Sequence, residues 1–549
     1  MPMPITPVVR TPSAYDYPLL IKQLWITPLA NATKNEIVYR GERRFSYAQV
    51  RDRVGRLAHA LAGLGVQPGQ TVAVMDWDSH RYLECFFAIP MMGCVLQTVN
   101  IRLSPEQILY TLDHAGADAI LVHTDFLPLL AAIAPRLKKK PRLVRIQDTP
   151  APAPSELAFA GEYEQLLAAA PADYEFPDFD ENARATTFYT TGTTGLPKGV
   201  YFSHRQLVLH TLVILAWFGT APANGRIHRE DVYMPITPMF HVHGWGMPYA
   251  ATLMGLKQIY PGRYQPELLL KWIREEGVTL SHCVPTLLHM LLTHPDAQKT
   301  DLSRLKMVIG GSALPQGLCR MALERGMDVY SGYGMSETGP LQIISHLSSA
   351  EARADLDTQV RLRTRTGRSV VLCDVRAVDE HLRPLPRDGA SVGEVVFRSP
   401  WLTQGYLNEP EKSEELWRGG WLHSGDLGRF DADGFLQIAD RVKDVVKTGG
   451  EWISSLTLED LISQDPTVSE VAVIGVPDPK WGERPLALVV PKPGCTPDPA
   501  AIRARLASEA QAGRIPAYGV PDRVLIVEAL EKTSVGKLDK KRLREKYRA

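Results

Sequence analysis

The sequence predicts an α/β protein: a large N-terminal region over 1–440 built on mostly parallel sheets, including a small β-rich subdomain at about 368–440, and a small α+β C-terminal domain over 441–549. Three observations predict it. The chain has 549 residues, more than one hydrophobic core organises, and length alone implies roughly three or four domains. Strand-like and helix-like runs alternate up to residue 330, the pattern of βαβ units and a parallel sheet. From about residue 368 short strands joined by turns take over.

The elements follow in order. Ser46 and Gln49 have capping-box spacing, and Val50, Val54, Leu57, Leu61 and Leu64 recur behind them at helical period until Gly63 and Gly65 close the run. A strand is expected at 71–77, a helix at 81–91 and a strand at 95–100. Ser104 and Gln107 repeat the capping box before a helix at 108–114, a strand at 119–123 and a helix at 127–137. Residues 149–155, rich in Pro and Ala, read as a surface loop. Alternation resumes with helices at 266–276, 286–294 and 314–325 and strands at 278–284, 305–309 and 328–330. Strands at 370–378, 393–398 and 435–438, with a turn at Asp431-Ala-Asp-Gly434, form the β-rich subdomain. Beyond Asp440, helices at 457–463 and 500–509 and strands at 468–476, 486–490 and 523–527 make a compact unit. There is no internal repeat.

Composition narrows the function. Lys plus Arg equals Asp plus Glu at 61 each, so no global field draws the chain to nucleic acid or an anionic membrane, and anion binding must be local. The basic run Lys138, Lys139 and Lys140 has no interleaved aromatic and reads as a solvated turn. Cys85, Cys94, Cys283, Cys319, Cys373 and Cys495 form no Cys-x-x-Cys pair, which fits a reducing compartment better than a zinc site or disulfide scaffold. The N-terminus lacks a signal-peptide pattern and no run of about 18 apolar residues occurs, so a cytoplasmic protein without an integral membrane segment is expected.

The sharpest chemical signal is Thr190-Thr-Gly-Thr-Thr-Gly-Leu-Pro-Lys-Gly199. Gly192 and Gly195 permit backbone angles that turn N–H groups inward around phosphate oxygens. Thr190, Thr191, Thr193 and Thr194 add hydroxyl donors and Lys198 a mobile charge. The loop is not a Walker A motif, because Leu196 and Pro197 separate Gly195 from Lys198 and an extended run, 200–202, follows it instead of a helix. A strand–loop–strand phosphate grip is expected, against a polar surface turn.

Four further stretches carry chemistry. Tyr333-Gly-Met-Ser-Glu-Thr338 follows a strand, where ligands meet open α/β sheets. Glu337 suits a hard cation such as Mg2+, Thr338 a phosphate and Tyr333 a base; a capped turn is the plain alternative. Asp426, in Gly420-Trp-Leu-His-Ser-Gly-Asp-Leu-Gly428, reads as an acid between tight turns able to accept two vicinal hydroxyls, or as an Asx-turn. His241 and His243 stand at i, i+2; on a strand that spacing can bind metal, but no acidic or Cys partner completes a set, and a substrate-pocket wall is the better reading. Lys537 sits on a glycine-containing loop near the terminus, where domain movement could bring it to a distant anion.

Together and in this order these motifs resemble the adenylate-forming superfamily of acyl-CoA synthetases, luciferases and peptide-synthetase adenylation domains, over about 45–541. Lys447-Thr-Gly-Gly-Glu-Trp-Ile-Ser-Ser455, Pro238-Met-Phe-His-Val-His-Gly-Trp245 and Lys480-Trp-Gly-Glu-Arg-Pro485 resemble the medium- and long-chain fatty acyl-CoA synthetases. The resemblance implies a two-step reaction. A carboxylate attacks the α-phosphate of ATP, giving acyl-adenylate and pyrophosphate; CoA thiolate then displaces AMP.

It also implies roles. The loop from Thr190 to Lys198 holds the β- and γ-phosphates, Glu337 ligates magnesium and Thr338 contacts the α-phosphate. Tyr333 and Gly334, with Gly311, Ser312 and Ala313, line the adenine pocket; Asp426 and Arg441 bind ribose. Lys537 reaches the acyl carboxylate and α-phosphate in the first step. His241 gates the passage between carboxylate and CoA pocket, Trp245 closes the acyl tunnel, Lys443 is the hinge of a mobile C-terminal domain, and Gly449 and Gly450 border the CoA channel. Partners implied are a small carboxylic acid, ATP, Mg2+ and CoA, with a homodimer as the assembly. Three positions depart from the usual pattern, Thr191 for Ser, Ser424 for Thr and Lys443 for Asp, and none removes a catalytic group. Rival readings are a CoA ligase for an aryl or short sulfur-containing acid, a ligase loading a carrier protein, and, from a different class, a P-loop-like ATPase or kinase.

Overall fold

The computed structural model describes residues 7–149, 155–190, 196–222, 225–448, 451–533 and 537–547. Among them the strands form four sheets. The first runs Gly161–Glu162, Arg142–Ile146, Ala117–His123, Thr71–Met75, Val95–Thr98, Arg184–Tyr189 and Gly199–Ser203, parallel except for its last pair. The second has a parallel centre of Glu36–Tyr39, Lys257–Tyr260, Val232–Tyr233, Leu280–Cys283, Lys306–Ile309 and Asp328–Gly334, closed by antiparallel strands at both edges. Strands of these two sheets read as continuous apolar runs, such as Thr71–Met75, because both faces are buried. Between the sheets lies a common core with Trp25, Tyr47, Tyr82, Phe86, Phe87 and Tyr249.

The α/β character with parallel sheets is as expected, and two expected capping boxes form. Ser46 and Ser104 each accept the backbone N–H of Gln49 and Gln107, whose side chains return the bond, opening helices Tyr47–Gly63 and Pro105–Ala115. Other expectations need correction. The helix expected at 127–137 is α-helical only over Leu127–Ile133 and continues as a 3-10 turn, Ala134–Arg136, because Pro135 has no N–H for the α ladder. The strand expected at 370–378 starts at Asp374; before it Leu372 turns the chain at φ 59° and Cys373 N–H bonds to the Val370 carbonyl.

The third sheet is antiparallel: Asp374–Val378, Gly393–Arg398, Leu422–Phe430 and Leu436–Arg441. The fourth pairs Glu451–Ile453, Val446–Thr448, Gly482–Pro491 and Val468–Asp478, with Arg523–Ile526 along Gly482–Pro491. It carries its own cores, around Leu458, Val473 and Val489 on one face and Ile474, Leu488 and Leu543 on the other. The strand Leu436–Arg441 leads through the exposed Lys443 into Val446–Thr448. Across this crossing Asp440 accepts the N–H and hydroxyl of Ser455, both at 2.6 Å, and Arg544 reaches Asp444 at 2.8 Å. No helix among the described residues is long and apolar enough to cross a membrane. All six cysteines are unpaired.

Candidate functional site

The parallel strands Leu280–Cys283, Lys306–Ile309 and Asp328–Gly334 end at a cleft of about 620 Å³ including its open mouth. Its wall contains His241, Trp245, His282, Gly310, Gly311, Tyr333, Gly334 and, from the C-terminal segment, Lys537. An open α/β sheet binds ligands at the carboxyl ends of its strands, and the cleft sits there.

Gly311 suits its place by conformation and by closeness to its neighbours. Its φ is +81°, and an added Cβ would lie 3.0 Å from Lys537 Cε. The close approach lets the lysine stem enter the cleft. Ser312 and Ala313 are exposed just past it and are not part of its wall. Burial and the Arg441 charge push the Lys537 ammonium down to about 8, while Asp426 and Glu337 pull the other way. The charges of Arg441, Asp426 and Glu337 therefore all reach Lys537.

Asp426 lies within the strand Leu422–Phe430 and not between two turns as expected, although Gly425 beside it has φ +69° and the register slips between Leu427 and Gly428. The slip accompanies pairing of Asp426 with Arg441 on the neighbouring strand. Arg441 Nε stands 3.3 Å from Asp426 Oδ1, and the Tyr333 hydroxyl donates to Oδ2 at 2.6 Å. Burial pushes the Asp426 carboxyl up, opposed by that guanidinium and hydroxyl.

Glu337 and Thr338 form the 3-10 turn Ser336–Thr338 and are buried. The Thr338 hydroxyl accepts Met335 N–H at 2.9 Å and has the carbonyls of Met335 and Pro340 within reach of its single proton. The Trp401 indole donates to the Thr338 carbonyl at 3.0 Å. Glu337 accepts the Tyr406 hydroxyl at 2.6 Å, and Lys198 Nζ lies 4.3 Å from the centre of that tyrosine ring. Tyr406 thus links the loop lysine to the acid. Nothing local in the sequence marks Tyr406 or Trp401, because their partners lie more than sixty positions upstream.

The phosphate-loop stretch is a strand–loop–strand unit. Arg184–Tyr189 and Gly199–Ser203 pair antiparallel, and Thr190 and Lys198 close its base: Thr190 N–H donates to the Lys198 carbonyl at 3.0 Å and Lys198 N–H to Thr190 Oγ1 at 3.2 Å. Thr191, Gly192, Thr193, Thr194 and Gly195 lie outside the described residues, as do Gly449 and Gly450.

His241 and His243 are not on a strand. Val242, His243, Gly244, Trp245 and Gly246 all have positive φ, at 48°, 55°, 55°, 60° and 75°. This left-handed turn costs about 1–2 kcal/mol at each non-glycine residue, and it separates the two imidazoles. His241 faces the cleft. His243 turns back to Thr186 Oγ1 at 2.8 Å and packs edge-on to Phe188 and Phe202. Burial holds both neutral, with pKa values near 3, His241 also beside the Lys537 and Arg102 charges. Trp245 packs over His282 with ring centres 5.1 Å apart, and an added Cβ at Gly310 would meet its ring at 3.0 Å.

Among the described residues no group of three or more His, Cys, Asp or Glu could hold a metal by itself. Glu337 fits a different arrangement. Mg2+ is commonly held by one or two carboxylates plus substrate phosphates, and Glu337 is a buried acid whose charge reaches Lys537.

The chain matches the AMP-binding enzyme family over residues 28–407 and the AMP-binding enzyme C-terminal domain over 457–537. It is 40% identical to a long-chain-fatty-acid–CoA ligase of Thermus thermophilus, covering 94% of this chain and 93% of the relative. It is 36% identical to a 3-methylmercaptopropionyl-CoA ligase of Ruegeria lacuscaerulensis, covering 92% of each. Among solved structures it resembles the anthranilate CoA ligase AuaEII in complex with anthranoyl-AMP, with a TM-score of 0.84 and 26% identity over 97% of this chain and 98% of that one. The chain belongs to the AMP-binding enzyme family and is an adenylate-forming acid–thiol ligase, with ATP and Mg2+ as cofactors and CoA as co-substrate.

Proposed function

We propose that the acid is a medium- to long-chain fatty acid. The observation that carries this is the apolar wall: Ile214, Phe218, Met247, Val308 and Leu341 line the cleft that also contains Lys537, and they belong to one hydrophobic cluster that Trp245 packs against. Such a wall offers an alkyl chain burial of about 0.8 kcal/mol per CH2. The Thermus relative is a ligase for long-chain fatty acids, which supports the same reading. Unpaired cysteines, four of them buried, support a reducing cytoplasmic setting.

In this proposal the parts act as follows. Adenylation brings a carboxylate against a triphosphate, so converging positive groups must neutralise the charge as it moves. Lys537 supplies an ammonium between acid and α-phosphate, Lys198 stands at the base of the phosphate loop, and Glu337 would hold Mg2+, whose bound charge supplies Lewis-acid stabilisation. Tyr333 offers its ring face to the base. Asp426, oriented by Tyr333 and Arg441, accepts the ribose hydroxyls. Thr338, with its hydroxyl engaged inside the turn, keeps Glu337 in place and presents itself to phosphate only by rotating. After pyrophosphate leaves, the segment beyond Lys443 swings Lys537 away and opens the path past His241 for CoA, a hinge motion.

Two outcomes test these assignments. Asp426→Asn removes the charge that accepts ribose hydroxyls, and hydrogen bonds to charged groups contribute about 1.5–3 kcal/mol, so kcat/KM for ATP should fall about 10- to 150-fold. An unaltered ATP dependence would remove Asp426 from the nucleotide site. For the acid, kcat/KM across a series of straight-chain acids should climb about fourfold per CH2 until the cleft is filled. If 3-methylmercaptopropionate or an aryl acid such as anthranilate outperforms dodecanoate, the fatty-acid proposal is wrong.

A further inference from the structure

The left-handed turn Val242 to Gly246 borders the cleft, and three of its residues, Val242, His243 and Trp245, carry a β-carbon at a positive φ that such residues rarely adopt. Such a conformation persists only where surroundings over-determine it. Inside the turn His243 is tied to Thr186 at 2.8 Å, and the segment Met239–Phe240 that leads into the turn is held from the other sheet. Asp78 lies in the connection between the strand Thr71–Met75 and the helix His80–Met91, and is 1% exposed. Its Oδ1 accepts Met239 N–H at 2.9 Å, and its Oδ2 accepts the Tyr264 hydroxyl. Its carbonyl accepts Gly262 N–H at 2.9 Å. Thr98, at the end of the next strand, donates to the Phe240 carbonyl at 3.0 Å. The Arg102 guanidinium lies over the rings of Phe240 and Tyr264, at 5.9 and 5.6 Å.

Asp78 therefore binds, through one side chain and one carbonyl, two separate segments of the second sheet's connections: the residues just before His241 and those just after Tyr260. A buried carboxylate is an expensive way to satisfy one N–H and one hydroxyl unless their positions matter. Its bond to Met239 ends two residues from His241, and His241 N–H is itself tied to the Pro238 carbonyl at 2.9 Å. Displacing Met239 displaces His241.

We infer that Asp78 is a positioning residue for the acyl-transfer step: with Tyr264 and Thr98 it latches the Met239–His241 backbone, and so sets where His241 stands between the acyl-adenylate and the incoming thiol. The inference rests on the proposed role of His241 at that passage. Asp78 is not part of the cleft wall, so its loss should leave adenylation almost intact. Misplacement by about 1 Å can cost on the order of 10²-fold in rate, which bounds the effect on transfer.

The test compares two single-turnover rates in the full-length protein: pyrophosphate release from ATP with dodecanoate, and thioester formation from supplied dodecanoyl-AMP with CoA. Asp78→Ala should slow thioester formation by on the order of 10- to 100-fold while pyrophosphate release stays near wild type. Asp78→Asn, which retains an oxygen for Met239 N–H, should restore most of the loss. Tyr264→Phe should slow the same step less. His241→Ala, run in parallel, should slow thioester formation too. The latch is overturned if Asp78→Ala lowers both steps equally or neither, or if the Asn variant is as slow as the Ala variant. A normal thioester rate in His241→Ala would remove the gate itself; a slow His241→Ala beside a normal Asp78→Ala would remove the latch alone.

Discussion

Replacing Lys537 by alanine is expected to slow acyl-adenylate formation by about 10²–10³-fold, the usual cost of one electrostatic partner of a developing charge, and to spare thioester formation from supplied acyl-AMP and CoA. The lysine stem lies against Gly311, and its ammonium feels the charges of Arg441, Asp426 and Glu337. Burial has brought its pKa down to about 8. The sign of the pH dependence follows. The charged form that adenylation needs is full well below 8, half lost at about 8 and gone as pH rises further. The kcat/KM for ATP reports the free enzyme, so its alkaline limb should break near that pH and fall about tenfold per further unit, as one proton is lost. Lys537→Arg should carry the limb upward, because guanidinium does not deprotonate in this range. Pyrophosphate exchange and thioester yield, measured on the same preparations, separate the two steps. Equal loss of both in Lys537→Ala would show that Lys537 is not confined to the first.

Glu337→Gln is expected to lower adenylation by about 10²–10³-fold at ordinary magnesium and to recover part of that at high magnesium. Glutamine keeps an oxygen for the Tyr406 hydroxyl, so the turn Ser336–Thr338 keeps its geometry and only the charge is removed. The diagnostic quantity is the Mg2+ midpoint of pyrophosphate exchange, which should shift to higher concentration. An unshifted midpoint with a uniformly lower rate would mean that Glu337 acts on the turn and not on the metal. Tyr406→Phe provides the contrast, since it removes a hydrogen bond and leaves the carboxylate.

The fold class was legible because it rests on local rules. Ser46 and Ser104 open helices where their spacing with Gln49 and Gln107 says they must, and apolar runs such as Thr71–Met75 fall on strands buried on both faces. Boundaries failed where a single residue intervened, as Pro135 does in the helix after Leu127. Tyr333 and Asp426, which meet Arg441 in the structure, belong to stretches marked by residue type, whereas Gly311 beside Lys537 and Arg441 itself were expected only from the family resemblance. The Tyr406–Glu337 bond and the Asp78 latch were not legible, since each joins segments far apart in the chain with no spacing to betray it. The turn from Val242 to Gly246 was hidden for another reason: Val and Trp argue against positive φ, and only tertiary anchoring overrides them.

Product analysis of ATP turnover with and without dodecanoate and CoA distinguishes adenylation from phosphoryl transfer in one experiment. AMP and pyrophosphate are expected in equal amounts only when acid is present, with dodecanoyl-CoA formed only when CoA is added. ADP and phosphate, or ATP turnover indifferent to the acid, would contradict adenylation.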